Sequence, residues 1–274
     1  EHRRHKVMGM GGNGADAELE GQFGLSFPGF FGMAANRHMK LYGTTSEHLA
    51  MVSVKNRTNA AKNPYAQFQK PVTMSDVLEA RMVAYPLTFL MCCPTTDGAA
   101  AAIVTTKEKA KKMCEKPVEV AASVLRTATF ESSENDLETM RPTVQAGQEA
   151  YKQAGIESKD VDLALVHDCF SISEILHYED LGFCKKGEGK SMIEKGETNI
   201  GGRIPVNPCG GLLSKGHPVG ATGIAQVCEV VWHVRGEAGE RQVEGAEIGM
   251  THTLGGLSHA EGVACGVNIL RRGW

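Results

Sequence analysis

The sequence has 274 residues, of which 42% are hydrophobic, and this length suffices for one large domain or two modest ones. A formal net charge of −3 without a dominant basic stripe argues against nucleic-acid binding, and the apolar runs are too short for stable membrane insertion. The eight cysteines are scattered, and no Cys-x-x-Cys pair with matching histidines occurs, so we expect reduced thiols rather than a disulfide framework or a metal site.

The first part of the chain has an irregular pattern. Residues 1–26 are Gly-rich and polar, which predicts a loop or a disordered segment. Residues 27–93 alternate short helical pieces with proline breaks, which indicates an elaborated excursion rather than a self-contained core. The helical pieces are predicted at 33–42, 45–60 and 74–81, and the charged run 107–112 predicts a solvated helix face further on.

After Pro94 the pattern becomes regular. The small apolar run at 99–105 predicts a buried strand, and further strands are predicted at 118–130, 161–166, 247–253 and 263–270. Helices are predicted at 142–154, at 171–181 and within 216–235, and a glycine follows each of them as a C-cap: Gly155, Gly182 and Gly236. This alternation of strands and helices implies an α/β layer architecture.

The tetrapeptide His167-Asp168-Cys169-Phe170 stands where a predicted strand ends and a helix begins. Ligand sites in α/β sheets favour the carboxyl ends of strands. A histidine beside a cysteine can relay a proton, and its cation lowers the pKa of the thiol. The alternative is that Asp168 caps the helix and Cys169 is simply buried.

A Gly-rich segment at 207–223 places His217 on a turn ahead of a helix. Free N–H groups at such a turn favour negative charge, so His217 could donate to a thioester oxygen as it becomes an oxyanion. The alternatives are a flexible loop or a nucleotide loop, although neither common phosphate-loop pattern is present. Residues 251–256 form a third candidate, either a second oxyanion hole or an ordinary hairpin turn.

These segments resemble motifs of the thiolases. The string NPCGGLLSKGHPVGATG at 207–223 resembles their Gly-His-Pro motif, and HDCF at 167–170 is similar to the variant in sterol-carrier-protein-type thiolases. NPYAQF at 63–68, CCPTTDG at 92–98, and GEAG at 236–239 with RQV at 241–243 match the same subfamily. The resemblance runs from about residue 27 to residue 273. It implies a layered α/β/α fold of two similar βαβαβαββ halves, each with a five-stranded mixed sheet, and a loop domain over the active site.

The resemblance also implies a domain division. Residues 27–93 correspond to the loop domain, residues 94–116 to the last strand and end of the first half, and residues 117–274 to the complete C-terminal half. The earlier part of the first half, which bears the acylated cysteine in the family, has no counterpart in the chain. A homodimer formed mainly through that part is implied, as is a peroxisomal or mitochondrial location.

Catalytic roles follow from the resemblance position by position. His217 corresponds to the histidine that activates the nucleophilic cysteine and lines the first oxyanion hole, which His167 completes. Cys169 corresponds to the acid/base cysteine of the subfamily. Many thiolases have that cysteine near the position of Thr253 instead, and Cys265 lies too far along the last strand to replace it. The backbone N–H of the second oxyanion hole is assigned to Gly255, and the predicted substrate or CoA contacts are Cys93, Phe170, Asn207 and Gly211.

The predicted activity is thiolysis of 3-ketoacyl-CoA to acetyl-CoA and a shortened acyl-CoA, or the reverse Claisen condensation. Coenzyme A is then a substrate, and no cofactor is expected. The alternative is a non-catalytic thiolase-like protein that binds acyl-CoA or lipid. Residues 257–261 resemble an insertion in a turn that is usually short, so they either alter the second oxyanion hole or merely lengthen the turn.

Overall fold

A computed structural model describes residues 24–128, 136–258 and 262–274. The segment predicted as loop or disorder at 1–26 therefore lies almost wholly outside the described residues. The end of the strand predicted over 118–130 and the second part of the 257–261 insertion also lie outside them. The first part of that insertion is described, and its Leu257 is buried in the main hydrophobic core.

The described part of the N-terminal region contains three α-helices and a small hairpin. Helix α1 (Phe27–Tyr42) begins after Ser26, whose hydroxyl accepts the Gly29 N–H, and it ends at Gly43 in the left-handed region. Helices α2 (Ser46–Ala60) and α3 (Met74–Leu78) follow, and then strands β1 (Met82–Ala84) and β2 (Leu87–Thr88) pair antiparallel.

The strand predicted at 99–105 is wrong. The chain there is neither helix nor strand, and the side chains of Ile103 and Val104 are 86% and 81% exposed. An extended segment becomes a strand only beside another strand that takes its N–H and C=O groups, and among the described residues no strand pairs with 99–105. Helix α4 (Lys107–Met113) follows and buries none of its residues, which confirms the predicted solvated helix.

The main sheet contains strands β3 (Val118–Thr127), β4 (Leu163–Leu165), β5 (Ile248–Gly255) and β6 (Ala264–Arg272). Their order is β3-β6-β5-β4. Strands β3 and β5 run antiparallel to β6, and β4 runs parallel to β5. The sheet is therefore mixed, as predicted.

The described sheet has four strands rather than the five expected. The place beside β4 holds only a single parallel bridge between Ala164 and Val206. The next main-chain donor on that edge, the Val166 N–H, bonds to the side-chain Oδ1 of Asn207 at 3.0 Å. Asn207 itself has φ 53°, which turns the chain away from the sheet, so the ladder stops after one residue.

Helices cover both faces of this sheet. Helix α5 (Arg141–Ala154) packs on β3 and β6, and α8 (Thr222–Arg235) packs on β5 and β6. Their C-caps are the predicted Gly155 and Gly236, both left-handed. The apolar residues of β6 divide between two clusters, one with the α5 side and one with Val230 and Val234 of α8. This confirms the layered α/β arrangement.

Helix α6 (Ser171–Asp180) is the central element of the molecule, because every one of its residues is buried. It begins shortly after β4 and is covered by α1 and α2 of the N-terminal region and by the short helix α7 (Gly189–Glu194). The segment between β4 and α6, residues 166–170, therefore lies where the N-terminal region meets the sheet. That segment contains the predicted HDCF motif.

Candidate active site

The start of α6 is capped from within the helix. The Ser173 hydroxyl accepts the Phe170 N–H at 3.0 Å and donates to the Phe170 carbonyl at 2.6 Å. The alternative in which Asp168 caps this helix is therefore wrong. Phe170 is buried and stacks on the ring of Phe31, with ring centroids 4.8 Å apart, so it also joins α1 to the motif.

Asp168 is fully buried and binds the Gly-rich segment instead. Its Oδ1 accepts the Leu212 N–H at 2.7 Å, and its Oδ2 accepts the side-chain amide of Asn56 at 2.8 Å. The fit requires Gly211, which is buried with φ 59°. Burial, with the charge of Glu174 as a smaller cause, raises the pKa of Asp168 well above its usual value. Asp168 thus fastens the HDCF motif to the segment that leads to His217.

A buried polar network around Glu174 packs against both the HDCF motif and the Gly-rich segment. The Glu174 carboxylate is bonded by the Lys55 ammonium, by the Asn56 amide at 2.7 Å and by the Asn207 amide at 2.6 Å. Lys55 also donates to the Val206 carbonyl at 2.8 Å. In this structure the Asn207 side chain is buried and engaged in support, so its predicted contact with substrate stays a prediction.

His217 lies beside His167. A turn of π-helical form at Gly211–Lys215 precedes His217. The main chain of His217 forms a parallel bridge with Thr95. The two imidazole rings meet edge to face, with centroids 5.1 Å apart. The structure thus brings together two residues that are separated by 50 positions in the chain.

Both imidazoles are neutral near pH 7. Burial, reinforced by the charge of Lys215, lowers the pKa of His217 to about 4. Burial and then the nearby His217 and His252 lower the pKa of His167 well below its usual value. A neutral histidine can accept a proton, which suits the base role implied for His217.

The tautomer of His217 follows from its neighbours. The Thr222 hydroxyl donates its hydrogen to the Pro218 carbonyl at 3.0 Å, so its oxygen acts as acceptor toward His217 Nδ1 at 2.9 Å. His217 Nδ1 therefore carries the proton, and Nε2 keeps a free lone pair. That lone pair can take a proton from a thiol, after which Nε2–H becomes a donor for an oxyanion.

A main-chain hydrogen bond connects Cys169 with Cys93, and both thiols are free. The Cys93 N–H donates to the Cys169 carbonyl at 2.9 Å, beside an antiparallel bridge between Cys92 and Phe170. Burial raises the pKa of Cys169 to about 12, which the nearby Ser173 hydroxyl partly offsets. Cys169 is thus a protonated thiol near pH 7, as a proton donor must be. The pKa of Cys93 is also raised well above its usual value, first by burial and then by Cys169.

The end of β5 reaches the same edge of the sheet. Because β4 and β5 are parallel, their carboxyl ends lie together. A Cβ added at Gly223, at the start of α8, would lie 3.7 Å from Thr253 Cγ2. Gly255 is exposed two residues further on, and its predicted oxyanion role stays a prediction. Cys265 is buried, with its sulfur 3.7 Å from the Thr143 hydroxyl, as expected of a thiol outside the site.

The sequence patterns did not single out His252. Its Nδ1 accepts the His167 N–H at 3.3 Å, and its ring is fully buried. The pairing of the two strands contained a signal for it. Leu165 lies opposite Thr251, so the segment that begins at Val166 starts beside His252.

Within residues 24–128, 136–258 and 262–274, no group of three or more His, Cys, Asp or Glu side chains is placed to hold a metal ion. No helix of those residues has the length and apolar character needed to cross a membrane.

Residues 124–266 match a family model described as thiolase C-terminal domain-like. The chain belongs to the thiolase superfamily. This thiolase chain is 53% identical over 243 residues to an acetyl-CoA acetyltransferase of Methanothermobacter thermautotrophicus, which covers 88% of this chain and 63% of the relative. It is 42% identical over 248 residues to sterol carrier protein 2 of Oryctolagus cuniculus, which covers 86% of this chain and 45% of the relative.

A solved structure described as an Ltp2-ChsH2(DUF35) aldolase is similar to the thiolase chain, with a TM-score of 0.82 at 28% identity. The similarity covers 94% of this chain and 66% of the other. These findings confirm the predicted family and fold class. The thiolase chain spans about half to two thirds of the length of these relatives, with shares of 45%, 63% and 66%.

Proposed function

We propose that this thiolase chain supplies the oxyanion-binding and acid/base residues of an acetyl-CoA C-acyltransferase acting on 3-ketoacyl-CoA. The reaction is thiolysis to acetyl-CoA and a shortened acyl-CoA, or the reverse condensation. One observation carries the proposal: a neutral His217 with a free Nε2 lies 5.1 Å, ring to ring, from His167, which is two residues from the protonated thiol of Cys169.

The proposed cleavage step uses these groups in order. A cysteine thiolate outside this chain, formed when His217 Nε2 takes its proton, attacks the 3-keto carbon. His217 and His167 stabilise the resulting oxyanion. The C2–C3 bond then breaks, its electron pair forms the enolate of acetyl-CoA, and Cys169 donates its proton to C2.

The second step restores the enzyme. The Cys169 thiolate, a strong base because burial raises the pKa of its thiol to about 12, takes the proton of the incoming CoA thiol. The CoA sulfur attacks the acyl-enzyme, and the nucleophilic cysteine leaves as a thiolate. Cys169 is thus an acid in the first step and a base in the second, so no net proton is gained or lost.

The similarity to an aldolase favours a second candidate function. Retro-aldol cleavage of a 3-hydroxyacyl-CoA passes through the same thioester enolate and needs a base and an acid, but no acylated cysteine. His217 and Cys169 would serve as that base and that acid. The test is therefore designed to separate thiolysis, aldol cleavage and binding without turnover.

The test uses the complete gene product, a 3-ketoacyl-CoA and free CoA, with separation of the products by chromatography. The proposal expects acetyl-CoA and a shortened acyl-CoA, formed only when CoA is added. Cleavage of 3-hydroxyacyl-CoA without added CoA would favour the aldolase. Acyl-CoA binding by calorimetry with no turnover would favour the non-catalytic lipid-binding alternative.

Further parts of the proposal concern the whole protein. Residues 24–274 expressed alone should show no thiolysis, because the nucleophile is assigned to a cysteine outside this chain; measurable turnover would overturn that assignment. The homodimer is tested by measuring the molar mass of the complete gene product by sedimentation equilibrium. The peroxisomal or mitochondrial location is tested by imaging a tagged gene product in its own cells.

A further inference from the structure

The His252 ring is held by hydrogen bonds at both nitrogens. Nδ1 lies 3.3 Å from the His167 main-chain nitrogen, and Nε2 lies 3.0 Å from the Thr143 hydroxyl on α5. The residue is fully buried on β5, and burial lowers its pKa to about 3. The imidazole is therefore neutral over the whole physiological range.

This geometry selects one tautomer of His252. A neutral imidazole has one N–H and one bare nitrogen. The His167 main-chain nitrogen is a donor, so Nδ1 must be bare, and Nε2 must carry the hydrogen that it donates to Thr143. The hydroxyl of Thr143, in the first turn of α5, accepts that hydrogen, and the lone pair of Nδ1 faces the His167 N–H.

Side chains replace the missing sheet bonds where β4 ends. The Val166 N–H bonds to the Asn207 side chain at 3.0 Å, and the His167 N–H bonds to the His252 ring. The ring Nδ1 of His167 is itself buried without a hydrogen-bond partner among the described residues. The bond to His252 is the contact of the His167 N–H, between residue 166, held by Asn207, and residue 168, held through its carboxylate.

Two further contacts hold His252, one to its ring and one to its main chain. The ring of His177 on α6 lies 4.3 Å away, centroid to centroid, and is fully buried. Gln226 of α8 donates its side-chain amide to the His252 carbonyl at 3.2 Å. Helices on both faces of the sheet therefore fix His252, which in turn contacts His167 at the site.

We propose that His252 is a positioning residue, which holds the main chain of His167 so that the His167 ring meets His217 in the geometry that binds the oxyanion. This inference rests on the proposed function for its kinetic consequence. The structural part of the inference, that an unprotonated Nδ1 of His252 accepts the His167 N–H, depends only on the contacts described above.

The decisive comparison is between two amides at position 252 in the complete gene product. In His252→Asn the side-chain oxygen lies near the former Nδ1 and can accept the His167 N–H. In His252→Gln the amide extends toward the former Nε2 and Thr143 instead. Both variants are polar, uncharged and smaller than histidine, so each is a control for the other. His252→Leu removes both hydrogen bonds.

The kinetic arm measures kcat and KM for thiolysis of a 3-ketoacyl-CoA. We expect His252→Asn to keep kcat within about threefold of the wild type, while Gln and Leu lower it on the order of 100-fold, the effect of about 1 Å of misplacement. KM should change less than about threefold in all three variants, because His252 does not touch substrate. Equal kcat in the Asn and Gln variants would overturn the proposal.

The structural arm does not depend on catalysis. In protein with ¹⁵N-labelled histidine, nuclear magnetic resonance should show His252 protonated at Nε2 and bare at Nδ1. The His167 amide should exchange with solvent at least about tenfold faster in the Gln variant than in the Asn variant. The opposite tautomer, or equal exchange in the two variants, would overturn the positioning role whether or not the complete gene product catalyses thiolysis.

Discussion

Gly211 and Asp168 are packed so closely that a Cβ at position 211 would lie 2.1 Å from Asp168 Oδ2. The main-chain N–H groups of Leu212 and Leu213 reach the carboxylate only because no side chain intervenes. Position 211 also has φ 59°, which other residues seldom adopt. The HDCF motif and the Gly-rich segment are therefore one structural unit, and the glycine is required by the aspartate.

Gly211→Ala should lower the free energy of unfolding by roughly 2–4 kcal/mol, because the methyl group displaces a buried carboxylate from its donors. The matched control is Gly220→Ala, where an added Cβ meets nothing within 4 Å. Urea denaturation of both variants checks the difference. Equal stability of the two would show that the loop adapts at no cost.

Lys55→Met should destabilise the protein by about 3–5 kcal/mol, because it leaves the buried Glu174 carboxylate without its cation. Both side chains of this pair are almost fully buried. Lys159→Met is the control, since Lys159 and Glu157 form an exposed pair that should not affect stability measurably. The free energy of unfolding from urea titration distinguishes the two variants. A double variant that replaces Glu174 by Leu as well should recover part of the loss.

Cys169→Ala should lower kcat for thiolysis by about 10²–10⁴-fold, because the acetyl-CoA enolate loses its proton donor. Cys228→Ala on α8 removes a thiol that lies outside the motif segments and should leave kcat unchanged. Steady-state kinetics of both variants in the complete gene product provides the measurement. Wild-type kinetics for Cys169→Ala would remove this residue from the mechanism.

His217→Ala should lower kcat by a similar factor, since Nε2 is the proposed acceptor of the nucleophile's proton. The tautomer gives a finer test through Thr222. Thr222→Val removes the acceptor of the Nδ1 hydrogen and should lower kcat on the order of tenfold, whereas Thr222→Ser keeps the hydroxyl and should retain activity. Equal rates for the Val and Ser variants would contradict the tautomer assigned to His217.

The pH dependence of stability should be less steep in His252→Asn. Burial lowers the pKa of His252 from 6.5 to about 3, so the unfolded chain binds a proton that the folded protein does not as pH falls through this window. The wild type should therefore lose about 1.4 kcal/mol more per pH unit than the variant between about pH 6 and pH 4.

Urea denaturation at three pH values in this window measures the two slopes. His217 and Asp180 contribute equally to both proteins, because His252 is not among the causes of their pKa shifts. His217, with its lowered pKa, acts with the same sign as His252. Asp180 acts with the opposite sign, because burial raises its pKa to about 6 and its stabilising effect is lost as pH rises toward that value. Parallel slopes for wild type and variant would show that His252 is not buried as a neutral ring.

Local patterns predicted most of the helices and strands. Gly155 and Gly236 end helices as expected, because capping depends on residues close in sequence. The expectation that HDCF and GHP meet came from the family resemblance, and the rings of His167 and His217 do lie 5.1 Å apart. The catalytic roles of these residues stay predictions.

Contacts between distant segments could not be predicted in this way. One of the two interpretations of HDCF made Asp168 the cap of the next helix, but its partners lie at Asn56 and at residues 212 and 213. A second such contact joins the buried ring of His38 to Glu179, 141 positions away, with 3.1 Å between Nε2 and Oε1. The apolar run at 99–105 has the composition of a buried strand, but the prediction was wrong because a strand also needs a neighbouring strand.

The exposed run that contains Ile103 and Val104 has a practical consequence for work with residues 24–274 alone. An exposed apolar segment that pairs with no strand among the described residues can pair with another molecule. Self-association of such preparations would then report this edge and not a native assembly. Lysine at position 103 would place a charge in the middle of the run and keep preparations monodisperse for spectroscopy without touching the sheet, α6 or the two histidines.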